Sequence, residues 1–174
     1  MILSYHSSMK TITLIGMMGS GKSTIGKLLS ERLNIKNIDI DSLIEQNEKR
    51  KISDIFKDDG EKYFRIIEKE TIKSNFSNSD LIISLGGGSF EDKSTRELLI
   101  KNTTVIYLKT SSKVIFDRIK NNTNRPLLNN QMTVERIQSI NLQREKNYEQ
   151  ANITILTDNK KPDKIVEEIL GVIK

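Results

Sequence analysis

The segment TITLIGMMGSGKSTIG, Thr11–Gly26, constrains this chain more than any other. A β-branched apolar run breaks into Gly16-Met17-Met18-Gly19-Ser20-Gly21-Lys22-Ser23 and resumes as a helical pattern. The break fits G-x-x-x-x-G-K-[ST] and has the strand before it and the helix after it that a phosphate loop needs. Glycines let the backbone turn so that successive N–H groups face an anion, and the following helix adds its positive end. Gly19, Ser20, Gly21, Lys22, Ser23 and Thr24 are therefore the candidate nucleotide-binding residues. Lys22 is expected to neutralise the β- and γ-phosphates, and Ser23 to place its hydroxyl on Mg²⁺. The glycine order is not G-x-G-x-x-G, so a dinucleotide fingerprint is not satisfied.

Downstream, short β-branched runs alternate with helical patterns. Residues 11–15, 35–40, 81–85, 104–108 and 153–157 read as five strands, nearly continuous in apolar residues as strands buried on both faces should be. Helical periodicity fills 23–33, 42–49, 53–57, 61–76, 94–101, 111–120 and 133–151. A last helix starts at Pro162, where the missing N–H would have no helical partner. The pattern predicts an α/β fold with a parallel sheet covered on both sides and ligands outside the carboxyl ends of its strands. At 174 residues, one domain over 1–174 is expected, with residues 1–9 a flexible extension carrying His6, the sole histidine. In NNTNRPLLNNQ, 121–131, asparagines and a proline exclude a good helix, and a loop of that length is a lid candidate.

The size is small for most P-loop motors, and no NKxD-like guanine signature occurs, so a small-molecule or nucleotide kinase leads. Cysteine is absent, which excludes disulfides and thiolate metal sites and agrees with a cytoplasmic protein. No run approaches the roughly 18 apolar residues of a membrane span. The net charge of +5 comes without a long basic block or aromatic-basic interleaving, so nucleic acid is not an expected partner. A modest positive excess suits anionic ligands instead. Nothing in the sequence requires an oligomer, and a monomer is expected.

Several residues outside the phosphate loop carry chemistry. Asp39 and Asp41 fall at the carboxyl end of the second strand, where residues two apart share a face. One carboxylate can hold magnesium water while the other accepts a proton from an attacking hydroxyl; the competing reading has Asp41 capping the next helix, supported by Glu45. Arg65, Glu68, Ile72 and Phe76 share a helical face. Arg65 either grips a substrate carboxylate, with Glu68 holding its guanidinium, or forms a surface ion pair with Glu61 or Glu68. Arg144 lies within the stripe Val134, Ile137, Ile140, Tyr148 and Ala151, and a cation there needs an anion, from either a structural salt bridge or a ligand. Gly86, Gly87 and Gly88 follow the third strand, where a metal-binding aspartate is often found; Asp39 can supply the absent carboxylate while the glycines admit a ligand to the backbone. Arg125, stiffened by Pro126, can close on a transferred phosphoryl group.

Together GMMGSGKST, DID, DIF, DGEKYFRIIE, SLGGG, NRPLL and REKNY resemble the shikimate kinase family in order and spacing, from about Thr11 to the last helix. The resemblance implies a three-layer P-loop kinase fold with a five-stranded parallel sheet in the order 2-3-1-4-5, a substrate-binding region at about 41–70 and a mobile lid. It implies ATP-dependent phosphorylation of the shikimate 3-hydroxyl, on the route to chorismate and aromatic amino acids. Ser23 and Asp39 match magnesium-associated residues, and Asp41 the proposed base. Arg65 and Arg144 match the arginines that grip the shikimate carboxylate, Gly86, Gly87 and Gly88 the backbone approach, and Phe56 and Phe64 the apolar walls. Arg125 matches the lid arginine, Arg118 a residue flanking the adenine, and Pro162 lies near the opposite wall. Two departures stand out: Ile40 replaces the usual hydroxyl residue between the aspartates, and DNKKP replaces a more arginine-rich adenine loop. Competing readings are a kinase of another small hydroxylated acid such as gluconate, or a silent nucleotide-binding regulatory module. The latter predicts lost catalytic positions, whereas here all are filled.

Overall fold

Five strands, β1 (Ile12–Ile15), β2 (Lys36–Asp39), β3 (Leu81–Ser84), β4 (Thr104–Lys109) and β5 (Ile153–Leu156), pair in parallel in the order β2-β3-β1-β4-β5. These come from a computed structural model that describes residues 11–75, 80–120 and 133–173. The expected lid, Arg125 within it, the extension 1–9 and Phe76 lie outside the described residues. Among the described residues, eight helices connect and flank the strands: α1 (Lys22–Leu33), α2 (Ile40–Glu48), α3 (Ile52–Asp58), α4 (Gly60–Ser74), α5 (Lys93–Asn102), α6 (Ser112–Ile119), α7 (Val134–Tyr148) and α8 (Pro162–Val172). A short 3₁₀ turn, Ser89–Glu91, precedes α5.

The period of two along each strand divides the core into two layers. Ile12, Leu14, Ile82, Ile106 and Leu108 face α1 and α8, where Ile25, Leu29, Val166 and Ile169 meet them. Ile15, Ile83, Val105 and Tyr107 face the opposite way, against Ile44, Phe64, Ile72, Leu99, Ile115, Ile137 and Tyr148. Both faces of the inner strands β1, β3 and β4 are covered, as their unbroken apolar runs require. The edge strands β2 and β5, expected to be buried on both faces as well, are partly exposed because each has a neighbour on one side alone. None of the helices among the described residues is long and apolar enough to cross a membrane.

One sequence expectation is corrected at the end of β2. The strand stops at Asp39, and α2 begins at Ile40, two residues before the predicted start. The cap is Asp39, whose Oδ1 accepts the Ser42 N–H at 3.1 Å, and neither Asp41 nor Glu45 performs that role. Asp41 therefore stands in the first turn of a helix, and the argument that it shares a strand face with Asp39 does not apply. Glu45 accepts from the Ile52 N–H at 3.1 Å and from Lys51 at 2.9 Å, tying α2 to the start of α3. At α5, Asp92 is the cap, accepting from the Thr95 N–H at 2.8 Å and the Ser94 hydroxyl at 2.6 Å. Those bonds, the Ser94 hydroxyl foremost, hold its carboxyl well below the usual carboxylate range.

Candidate functional site

The phosphate loop leaves the sheet at its central strand, between β3 and β4. Gly16 makes the exit at φ 142°, and a methyl group on it would lie 2.8 Å from the Leu108 carbonyl oxygen, so only glycine passes there. Gly21, at φ 101°, is the left-handed residue that turns the chain into α1. Lys22, Ser23 and Thr24 then occupy the first turn of α1, with their backbone amides at the helix's positive end. Lys22 Nζ folds back over the loop, donating to the Gly16 and Met17 carbonyls at 2.9 Å each. From α6, Arg118 reaches the same loop, donating to the Gly19 and Ser20 carbonyls at 3.2 and 3.3 Å.

Ser23 Oγ donates to Asp39 Oδ2 at 2.6 Å, bringing two hard oxygen donors together beside the loop. Mg²⁺ keeps several waters and takes one or two carboxylates besides phosphate oxygens, so a hydroxyl and one carboxylate fit it without a dedicated protein cage. Among the described residues no cluster of three or more acidic or histidine ligands exists. Ile40, in the position that departs from the family pattern, is fully buried in the core beneath the two aspartates.

The glycine triplet organises the remaining groups. A methyl on Gly86 would lie 2.7 Å from Asp41 Oδ1; on Gly87, 3.4 Å from Arg144 Nη1; on Gly88, 2.7 Å from Arg65 Nη2. Three consecutive glycines thus meet charged side chains from α2, α7 and α4 respectively, and Gly86 also backs Glu68 of α4, whose Oε1 would lie 3.0 Å from its added methyl. Gly87 also faces the phosphate loop, since its added methyl would lie 3.3 Å from the Met18 nitrogen.

Arg65 meets both of its expected partners. Nη1 donates to Glu68 at 2.8 Å, while Glu61 on the outside lies 3.1 Å from Nη2. Glu68 is 4% exposed, and its charge is met on the other side by the Ser89 hydroxyl at 2.6 Å. Burial works against the Arg65 charge, but the two carboxylates, Glu68 foremost, more than offset it and raise the guanidinium pKa further. The guanidinium lies 5.3 Å from the Phe64 ring centroid, and Phe64 packs on Phe56 with centroids 4.7 Å apart. Those two rings form an apolar wall beside a fixed cation.

The structure decides against one of the two readings of Arg144's partner, the structural salt bridge. Its Nη1 donates to the Gly87 carbonyl at 2.9 Å, and among the described residues it forms no salt bridge. A structural ion pair is therefore not what holds it. Pro162 opens α8 at an exposed position, and no hydrogen bond or ion pair joins it to the other predicted site residues among those described. The preceding loop does reach toward α6, because Asp158 accepts the Ser111 N–H at 3.0 Å. Two residues of the network were not among the candidates. Ser89 follows the triplet and pairs with the buried acid, and Tyr148 donates its hydroxyl to the Gly87 carbonyl. For Tyr148 a signal existed, the i,i+4 spacing from Arg144, but its burial in the stripe read as core alone.

The family described as shikimate kinase matches residues 18–174. A shikimate kinase of Sulfurihydrogenibium sp. (strain YO3AOP1) is 46% identical over 166 residues, covering 95% of this chain and 99% of that protein. The structure of shikimate kinase from Acinetobacter baumannii in complex with shikimate aligns with a TM-score of 0.90 at 30% identity, over 95% of this chain and 93% of that one. A gluconokinase from Sinorhizobium meliloti 1021 aligns with a TM-score of 0.57 at 17% identity, over 97% and 93% of the chains, a likeness of fold alone.

Proposed function

The chain belongs to the shikimate kinase family, and from that premise we propose how its residues carry the γ-phosphoryl group of ATP to the 3-hydroxyl of shikimate. The observation that carries the assignment of roles is the glycine triplet, with one carboxylate and two guanidiniums set against successive glycines. Two guanidiniums suit one substrate carboxylate, and the backbone without side chains lets the ring lie close. Arg65, held by Glu68, and Arg144, held by the Gly87 carbonyl, grip the carboxylate. Phe56 and Phe64 wall the apolar side of the ring.

Asp41 takes the proton of the 3-hydroxyl as its oxygen bonds to the γ-phosphorus and the bond to the bridging β,γ-oxygen breaks, releasing ADP. Lys22 and the amides of the phosphate loop balance charge on the β- and γ-phosphates. Mg²⁺, held by Ser23 and by Asp39 through water, supplies charge neutralisation on the phosphates when bound. Arg118 flanks the adenine opposite Pro162, and Arg125, outside the described residues, closes on the transferred group. Placement on the pathway to chorismate and a cytoplasmic location complete the reading.

The test is ADP release from Mg-ATP with shikimate, gluconate or no acceptor, for the native protein and Asp41→Asn. Release is expected with shikimate alone and is expected to fall by about 10²–10⁴-fold in the variant, the usual contribution of a general base. Equal release without shikimate would sink the assignment.

A further inference from the structure

Tyr148 ends α7 fully buried, its ring 5.0 Å from that of Tyr107, yet its hydroxyl must find an acceptor in that apolar setting. The acceptor is the Gly87 carbonyl, the same oxygen that Arg144 Nη1 reaches at 2.9 Å. We propose that Tyr148 is a positioning residue for substrate binding, fixing the Gly87–Gly88 peptide and, through it, the Arg144 guanidinium. The inference rests on the reading of the triplet and Arg144 as the carboxylate site.

A carbonyl oxygen has two lone pairs, and here both are taken by groups one helical turn apart on α7. The oxygen is thereby drawn toward α7. Because the peptide is planar and trans, the Gly88 N–H on the same plane is turned the opposite way. The Ser89 N–H closes a turn on the Gly86 carbonyl at 3.2 Å, and with glycine at both central positions that turn admits either orientation of its middle peptide, so the two donors from α7 decide which one is held. Arg144 gains in return: Nη1 is anchored on the Gly87 carbonyl and on the Met17 sulfur, 3.9 Å away, and the Nε and Nη2 donors are left to meet an anion in a set orientation. Burial pushes the Tyr148 hydroxyl pKa up to about 12, so it donates throughout the range in which a kinase works. Asn147 adds a second tie from α7 to the turn after the triplet, donating to Glu91 at 2.9 Å.

Tyr148→Phe keeps the ring and deletes the hydroxyl. In ADP-release kinetics, KM for shikimate is expected to rise roughly three- to tenfold, the worth of one such hydrogen bond, with KM for ATP and kcat nearly unchanged. In an Arg144→Ala background the same substitution should change KM for shikimate by less than twofold, because the two residues act as one unit. In parallel, the Gly87 and Gly88 amide signals of the full chain, recorded by NMR without any substrate, should move on Tyr148→Phe. An unchanged KM in Tyr148→Phe, a full additive rise in the Arg144→Ala background, an equal loss toward both substrates, or unmoved glycine amides would each overturn the proposal. If the native protein released no ADP with shikimate, the substrate assignment would fall, and the NMR comparison would still decide whether Tyr148 holds the triplet.

Discussion

Gly86→Ala places one methyl group where the carboxylate assigned as the base now sits. The Gly86 backbone is outside the left-handed region, so alanine is tolerated there and any effect comes from contact. The built methyl lies 2.7 Å from Asp41 Oδ1, 3.0 Å from Glu68 Oε1 and 3.1 Å from Ser89 Oγ, whereas ordinary contact begins at 3.4 Å. Glu68 has little room to yield, being buried and held by Arg65 at 2.8 Å and Ser89 at 2.6 Å. Asp41 must therefore retreat by about 0.7 Å, the difference between the contact limit and its present 2.7 Å. A misplacement of ~1 Å costs about 10²-fold in a reaction that depends on alignment. The expected loss in kcat is accordingly about 10–100-fold, or about 1.4–2.7 kcal/mol of barrier. The assay is the initial rate of ADP release with shikimate and ATP varied separately, beside a thermal melt to show that the variant is folded. Gly88→Ala is the internal comparison: its methyl meets the Arg65 guanidinium, at 2.7 Å from Nη2 and 3.0 Å from Nη1, and displaces a group assigned to substrate binding and not the base, so KM for shikimate should rise with little change in kcat. A Gly86→Ala protein with a normal melt and kcat within about twofold of native would refute the placement of Asp41 at the reacting hydroxyl.

Ser23→Ala removes the hydroxyl that lies 2.6 Å from Asp39; the Mg²⁺ concentration giving half-maximal rate is expected to rise about tenfold with KM for shikimate unchanged, and an unaltered Mg²⁺ dependence would take Ser23 out of the metal site. Asp92→Ala removes the α5 cap and should cost about 1 kcal/mol in urea unfolding at neutral pH. Because the folded-state pKa of Asp92 lies below its unfolded value, its contribution is present above the ordinary carboxylate range and is lost as pH falls through the folded value. The gap between native and variant should therefore narrow on acidification, and a gap constant with pH would place the effect elsewhere than in the carboxylate.

How far the site could be read in advance depended on how local each signal was. The phosphate loop was legible because spacing, glycine conformation and the helix start all act within a few residues. Asp39 and Asp41 were recognised as a pair, but the residue weighed as the cap of α2 was Asp41 and not Asp39, since either carboxylate can reach a free amide in an isolated segment. The cap at Asp39 starts the helix early, and that moves Asp41 from a strand edge to a first helical turn. Arg65 and Glu68 were legible as neighbours three apart on a helix, whereas the third member of that network, Ser89, is 21 residues from Glu68. For Arg144 the need for an anionic partner was evident, but not that a backbone carbonyl would hold it in place of a structural ion pair.

By itself the sequence determined the order of strands and helices, the phosphate loop and the inventory of charged groups, because periodicity and glycine geometry are properties of short segments. Tertiary structure alone decided which group each glycine of the triplet backs. Arg144 meets Gly87 across 57 residues of sequence, and a hydrogen bond is made or lost within a few tenths of an ångström. That precision comes from packing α2, α4 and α7 onto one face of the sheet, where the period-two and helical patterns name the buried side but leave open which atoms will touch.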